Sequence, residues 1–596
     1  MYRILGLILC LFLFTASPGF ATEITGTVTD TETGQPIPYS HIELEGLERG
    51  DATDENGEFR FEDIYPGIYT ISASCLGYKY LKATLNVHGE WVKIDFGLDP
   101  AIIQGQEATY TAHRAVAGKS PVAYTDVSGE QLRNDYWAQD IPPMLGSLPG
   151  VYSYSEMGEG IGYTHVKIRG FDTKRIGVSI NNVPLNDPED GNVYWVDTPD
   201  LVTNVADIQV QRGVGVTSHG TGAFGGSINL VTANPAQSEP QYETIFGSGS
   251  FNTRKWGLSY NSGMVDNKYG FYGRFSKIQT DGYRDNSGIE MYSYFLTGAR
   301  YGTNHTTTLN VYGGKEMTHA AWYASSESAI SANRKDNPYT YPNTIDDFSQ
   351  PRYELHHEYY FNKNLNLTNT LYYVRGVGYY EQNKYDADLI DYGYQPFDDI
   401  SSSDLVKQDW VKKNHVGWAP LLVWKHDRGT LTTGGDLQWF ESDHYGLVLW
   451  GNTLPADSEP MHKYYNYAGK INSGGFFVRE QYDWNHRLTL TGDFGLRYRW
   501  YNLQQDAVAN FQGDDVNRFN VSDLFFDPKI GANFKLNQQM NLFGLLGVSH
   551  RPPRRLGVLG YLVQRWRLRT GSPVRHQHPH LPQWNRCRHR MERSKY

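Results

Sequence analysis

The sequence predicts a mainly β chain: a small β-sandwich, an α/β plug, and a transmembrane antiparallel β-barrel of which roughly 13 strands are legible. Three observations carry this. Residues 208–232 read IQVQRGVGVTSHGTGAFGGSINLVT, a compact glycine-rich segment, and a long Tyr/Gly-rich region of two-residue alternation follows it. Aromatics make up 14% of the chain, with 44 Tyr and 61 Gly, yet the mean hydropathy is only -0.55. That combination suits a wall in which every second residue meets lipid while the lumen stays polar. The first hundred residues hold short strands punctuated by Gly and Pro turns.

Residues 1–21 have the form of an export signal. Arg3 supplies the positive end, Ile4 to Thr15 the apolar stretch, and Gly19-Phe20-Ala21 the small residues for cleavage before Thr22. Apolar runs elsewhere are too short for a membrane-spanning helix. Removal of the signal takes Cys10 with it and leaves Cys75 and Cys587, too few for a disulfide framework.

Residues 22–98 form the sandwich. Ile24–Val28 is β-rich, Asp30–Gly34 turns, and His41–Leu44 is a second strand. Thr53–Gly57 turns tightly through Asn-Gly, which favours positive φ. Glu58-Phe59-Arg60-Phe61 alternates, and Pro66-Gly67 leads into Ile68–Ala73. The segment resembles the carboxypeptidase-regulatory-like domain through GTVTDTETGQPIPYSHIEL and TDENGEFRFEDIYPGIYTI. That resemblance implies a binding or spacer module without catalysis. Residues 99–119 read as a linker, within which Glu107–Ala112 is extended and β-prone.

Residues 120–235 form the plug. Asp140–Gly150 predicts a short helix that stops at Pro-Gly, and His165–Phe171, Ile176–Ile180 and Asn181–Gly191 then read as mixed α/β with long polar loops. Residues 236–550 are the barrel. Leu488, Leu490, Phe494, Leu496, Tyr498 and Trp500 share one face; Thr489, Thr491, Asp493, Arg497 and Arg499 share the other. Trp256, Leu258 and Tyr260 alternate with Lys255, Gly257 and Ser259 in the same way. These runs, about 9–16 residues long, exceed soluble sandwich strands and match tilted spanning ones. Polar stretches at 322–350, 384–404 and 446–464 are expected to be external loops.

From these residues the chain resembles the TonB-dependent outer-membrane receptors that carry the regulatory-like domain in front. The strings are LGSLPGV (145–151), VKIRGF (166–171), INNVPLND (180–187) and VQRGVGVTSHGTGAFGGSINLVT (210–232), with VSHRPP (548–553) near the end. The family's Arg-Glu-Pro at that last place is altered here, where Pro552 stands for the Glu. The resemblance implies export to the Gram-negative outer membrane and a barrel of about 22 strands around the plug. It further implies energised uptake of a scarce nutrient: an iron chelate, cobalamin or a glycan. The partners it implies are a TonB-type energy-coupling protein, outer-membrane lipid and an extracellular nutrient ligand, with or without a surface lipoprotein. It implies no nucleic acid, no cofactor and no enzymatic activity.

Site residues follow from the same resemblance. Glu107, Ala108, Thr109, Tyr110, Thr111 and Ala112 stand where the family keeps its energy-coupling box, since an extended strand can add to a partner's sheet edge. A plain linker strand is the bland alternative. Arg169 and Arg212 stand where plug arginines latch onto barrel glutamates, with Glu480 a candidate partner; ordinary surface arginines are the alternative. Asn186, Asp187, Glu189, Asp190, Tyr194 and Trp195 lie on an apex loop of the kind that meets ligand, although Asn-Asp-Pro is also a solvated turn.

Other motifs carry less. Gly220, Gly222 and Gly225 match a dinucleotide-binding spacing, but a strand, Ser227–Thr232, follows instead of a helix. Close packing of plug backbone against the barrel wall is the expected role. Residues 551–596 hold eleven Arg, one Lys and one Glu, a balance of +11 against -22 for the preceding 550 residues. The break suggests a frameshift or truncation near 551–556 that leaves the barrel incomplete, with a basic RNA- or lipopolysaccharide-contacting arm as the alternative. His576, His578 and His580 fall in that tail and are not expected to bind metal. The competing whole-chain reading is a non-transporting surface binding protein or adhesin.

Overall fold

A computed structural model describes residues 22–99, 114–214, 223–235, 240–506 and 518–551, apart from 32, 46, 48, 76, 77, 79, 90, 267, 303, 363, 538 and 539. It divides into two compact units, residues 1–104 and 105–596.

The first unit is the sandwich. Its strands are β1 (Thr22–Asp30), β2 (His41–Glu45), β3 (Arg49–Ala52), β4 (Glu58–Ile64), β5 (Gly67–Ser74), β6 (Leu81–Val87), β7 (Trp91–Lys93) and β8 (Phe96–Leu98). One sheet runs β4-β1-β7 with β8 also on β1; the other runs β3-β2-β5-β6. Alternate residues of β1, among them Ile24 and Val28, point into a core shared with Ile42, Leu44, Phe59, Ile71 and Phe96. Period-two burial of this kind is what a two-layer β core requires.

The second unit begins with the plug. Its strands are β9 (Ala123–Ser128), β10 (Val151–Ser155), β11 (Thr164–Ile168), β12 (Ile176–Ile180), β13 (Val183–Pro184), β14 (Val205–Arg212) and β15 (Gly226–Thr232). Five of them form a mixed sheet, β13-β12-β15-β14-β9, and β10 pairs with β11. Helix α1 (Gly129–Asp135) starts at Ser128, whose Oγ accepts the Gln131 N–H at 3.2 Å. Helix α2 (Ile141–Leu145) has Pro in its first turn and stops before Pro149-Gly150. As expected, a strand follows the glycine-rich segment. Gly225, however, packs within the plug: a Cβ there would meet Phe171 and the Arg175 carbonyl rather than the barrel wall.

The wall is one 14-stranded antiparallel sheet, against roughly 13 expected. Its strands are β16 (Gln241–Ser248), β17 (Arg254–Val265), β18 (Tyr269–Thr280), β19 (Ile289–Tyr301), β20 (His305–His319), β21 (Ile345–Ser349) and β22 (Arg352–Asn362). They continue as β23 (Leu365–Asp388), β24 (Ser402–His426), β25 (Gly429–Gly451), β26 (His462–Asp483), β27 (Leu488–Gln505), β28 (Arg518–Lys535) and β29 (Asn541–Gly547). The sheet path runs from β16 to β29, with β21 and β22 side by side between β20 and β23. No described helix, including α3 (Glu327–Ala332), is long and apolar enough to cross a membrane.

The predicted two-faced pattern holds. On β27, Phe494 and Leu496 are 53% and 48% exposed while Asp493 and Arg497 are 3% and 7% exposed. Apolar side chains face outward and charged ones inward, the reverse of a soluble core. The expected loop limits and strand lengths need correction. β23 to β26 are 22 to 25 residues long, so 384–388, 402–404, 446–451 and 462–464 are strand, as is 345–349. Hydrogen bonding between neighbours continues beyond the apolar stretch, where outward positions become polar. Short turns, such as 427–428, sit at one end of the wall; the longer 320–344, 389–401 and 452–461 sit at the other.

Candidate functional site: the plug in its wall

The plug touches the inner face of nearly every wall strand, which only a sheet curled around it can allow. Among the described residues, the most buried ion pairs between plug and wall are at Asp200, a plug residue held at φ 54 after Pro199. Its carboxylate accepts from Lys255 Nζ at 2.6 Å, from Ser276 Oγ at 2.5 Å, and from Arg274 and the Tyr136 hydroxyl. Arg274 also donates to Asn204 Oδ1 at 3.0 Å and Ser293 Oγ at 2.8 Å. Burial alone would raise the Asp200 carboxyl, but the two cations and the hydroxyl hold it below the usual range.

Contacts continue around the wall. Asn181 Nδ2 donates to Glu354 at 3.2 Å, Lys119 pairs with Asp483 at 2.8 Å, and the Tyr163 hydroxyl donates to Asp346. Asn533 reaches the Ser120 carbonyl at 3.3 Å.

The six apex-loop residues come together, in distinct structural roles. Asn186 ties the loop to itself, accepting from Val178 N at 2.8 Å and donating to the Ile176 and Gly191 carbonyls at 3.0 and 3.1 Å. Asp187 Oδ1 accepts the Glu189 N–H at 2.8 Å, the turn that Asn-Asp-Pro suggests, while Oδ2 pairs with Lys413 at 2.9 Å. Glu189 reaches Ser442, His444 and Tyr501 at 3.0, 2.9 and 3.2 Å. Asp190 accepts the Tyr194 hydroxyl at 2.7 Å. Trp195 is buried in the plug core. Burial raises the Asp190 carboxyl and the neighbouring Asp187 charge adds to this. Lys413, opposing burial, holds Asp187 down. Arg499 adds a bond to the Pro188 carbonyl at 2.7 Å, and a Cβ on Gly191 would strike the guanidinium of Arg551, from the VSHRPP string.

Arg169 and Arg212 lie beside each other near Gly150. Arg212 donates to Thr125 Oγ1 at 2.7 Å and the Tyr124 carbonyl at 3.1 Å, both in the plug. Glu480 shares a hydrogen bond with His426 at 2.9 Å. The segment 107–112, the loop glycines Gly220 and Gly222, and the 552–596 tail with its histidines lie outside the described residues. Among the described residues no group of three or more His, Cys, Asp or Glu could hold a metal ion. Sequence reasoning missed Asp200, Lys255 and Arg274. The available signal was a charged residue at an inward position of an alternating strand.

A β-wall filled by an α/β plug with its own sheet, fastened by charged groups of the lumen, defines a plugged-barrel receptor. Three family descriptions match in succession: CarboxypepD_reg-like domain at 24–109, TonB-dependent Receptor Plug Domain at 117–227, and TonB dependent receptor-like, beta-barrel at 292–572. The chain is 22% identical over 201 residues to the ferrienterobactin receptor of Escherichia coli (strain K12), covering 30% of this chain and 26% of that one. The match thus spans about a quarter of that curated relative. The ferric-catecholate import receptor Fiu from E. coli K12, open form, superposes with a TM-score of 0.57 at 17% identity, over 73% of this chain and 71% of that one. The unliganded ferric citrate transporter FecA gives 0.58 at 14% identity, over 75% and 65%. The chain belongs to the TonB-dependent receptors, with a regulatory-like domain ahead of its plug.

Proposed function

We propose that this chain is an outer-membrane receptor that takes up a scarce nutrient, using work delivered by a TonB-type protein that docks on Glu107–Ala112. One observation supports this reading most: the plug is fastened to the wall by buried charged pairs on two sides, Lys255 and Arg274 on Asp200 and Lys413 on Asp187, with a more exposed pair, Lys119–Asp483, on a third. Separating buried pairs exposes uncompensated charge at a cost of about 3–5 kcal/mol each. A solute path therefore needs an outside supply of work. The apolar outer face of the wall supports placement in lipid, and the long loops would then face outward. The relatives are named for ferric catecholate, ferrienterobactin and ferric citrate, which makes a metal chelate one candidate cargo. No catalytic step enters the proposal.

The test is uptake by cells producing the full chain, using labelled ferric chelates, cobalamin and oligosaccharides, with and without a protonophore. Uptake of one class should require the proton gradient and vanish on deletion of residues 107–112, while surface binding persists. Uptake indifferent to both treatments would overturn the reading.

A further inference from the structure

One transverse row of the wall, on its long-loop end, carries an arc of aromatic rings. Asp346, Tyr380, Asp409, Gly446 and Tyr465 are direct cross-strand neighbours from β21 to β26. Along this row, plug Tyr163 lies 5.5 Å from the Trp322 ring, and Trp322 lies 5.7 Å from Tyr380. Lys407 bridges Tyr380 and Tyr464, 5.1 and 5.8 Å from their centroids. Tyr464, Tyr465 and Tyr467 continue at 4.9 and 5.9 Å. Tyr467 then stacks on His444 at 4.5 Å, and His444 holds plug Glu189. The arc thus leaves the plug at Tyr163, follows the wall and returns to the plug. Most of these rings, including Trp322, Tyr380, Tyr465 and Tyr467, are only partly covered.

Two polar groups at the arc's first end lack partners among the described residues. The Trp322 indole N–H meets no acceptor, and Glu316 Oε1, on a residue 1% exposed, meets no donor. A bound molecule that both donates and accepts there would satisfy them. The charge balance narrows its class. Asp346, Asp409 and Glu316 sit on this row or one pleat away, and Asp197 faces Asp346 and Glu316 from the plug. Lys407 is already paired with Asp409, and Lys384 stands further out beside the same pair. Lys413 also faces Asp197 and Asp346 but is held by Asp187, and Arg284 beside Trp322 is held by the Ala321 and Tyr323 carbonyls. With Asp187 counted, five carboxyls face four cations, so the arc runs from neutral to acidic, and an anionic chelate would find no surplus cation. A neutral ring compound with apolar C–H faces and many hydroxyls meets both demands: faces stack on the rings, and hydroxyls bond carboxylates and the indole.

We propose that the Tyr163–Trp322–Tyr380–Tyr464 arc is a binding subsite for a neutral oligosaccharide. This deepens the uptake reading and rests on its placement of the long loops outside the cell. The test is equilibrium binding to the full chain in detergent, followed by tryptophan fluorescence. The probes are neutral glucose, mannose and xylose hexasaccharides and a ferric tris-catecholate trianion. At least one hexasaccharide should bind saturably, with the trianion unable to displace it. Trp322→Ala and Tyr380→Ala should each weaken binding about tenfold, as loss of a central aromatic contact does, and Trp322→Phe should restore most of it. Binding of the trianion but of no hexasaccharide, binding of neither, or sugar binding indifferent to both alanine variants would overturn the assignment. Sugar binding without gradient-dependent uptake would leave the subsite standing and defeat the transport reading instead. Gradient-dependent uptake of a chelate alone would do the reverse.

Discussion

Arg274 of β18 and Asp200 of the plug meet as an ion pair whose side chains are 5% and 1% exposed, with Lys255 of β17 on the other carboxylate oxygen. Two wall cations thus converge on one plug anion. Asp200→Asn keeps the shape and removes the charge, leaving both cations buried without a counter-ion. We expect a loss of about 3–5 kcal/mol in the unfolding free energy of the full chain in detergent. A loss below about 1 kcal/mol, the scale of a surface pair, would show that the cluster does not fasten the plug.

A second expectation concerns pH. Asp140 of the plug is buried, and burial pushes its carboxyl up to about 8 despite the Thr164 hydroxyl at 3.0 Å. The native plug keeps a proton that the unfolded chain releases near pH 4. Its contribution is therefore complete below that value and is lost as pH rises toward 8. Hydrogen exchange of the 155–164 amides, corrected for intrinsic rate, should show protection falling by a few kcal/mol over about pH 4–8. Asp140→Asn should flatten the profile. An equally steep profile in that variant would assign the effect elsewhere.

Gly191 offers a sharper local test. Its φ of 72 suits glycine, and an added Cβ would run into the Arg551 guanidinium. Gly191→Ala should cost about 1–3 kcal/mol from the backbone alone and loosen the Asp187–Lys413 and Glu189–His444 contacts. Thermal unfolding in detergent measures the first. Crosslinking between cysteines introduced at 190 and 444 measures the second, and an unaltered yield would separate the loop's backbone from its docking.

Much of this architecture was legible because a lipid-facing wall writes itself as a period of two. Phe494 and Leu496 had to face opposite to Asp493 and Arg497. Strand ends were harder, because the ladder between β25 and β26 continues where residues such as His462 and Lys463 are polar, and composition there resembles a loop. The apex-loop turn was legible, but the wall contacts of its acids were not: Asp187 and Glu189 meet Lys413 and His444, more than 200 residues away. The anchor at Asp200 was invisible for the same reason. Its partners lie 55 and 74 residues on, and only the curled sheet brings them together.

The outward face yields the last prediction. Phe494 lies on β27 between Leu490 and Tyr498 in the apolar band, 53% exposed. Phe494→Arg places a cation against lipid, which costs about 2–4 kcal/mol at mid-depth in a spanning barrel. The inward neighbour Asp493 already pairs with Arg479 at 3.1 Å, so charge is tolerated one residue away on the other face. Folding of the full chain into lipid vesicles, followed by denaturant titration, should show that penalty for Phe494→Arg and a much smaller one for Phe494→Tyr. In detergent, where water reaches the belt more easily, the difference should shrink. If Arg and Tyr were tolerated equally in vesicles, this face would not meet lipid, and the period-two alternation would have to belong to a wall packed against protein or water instead.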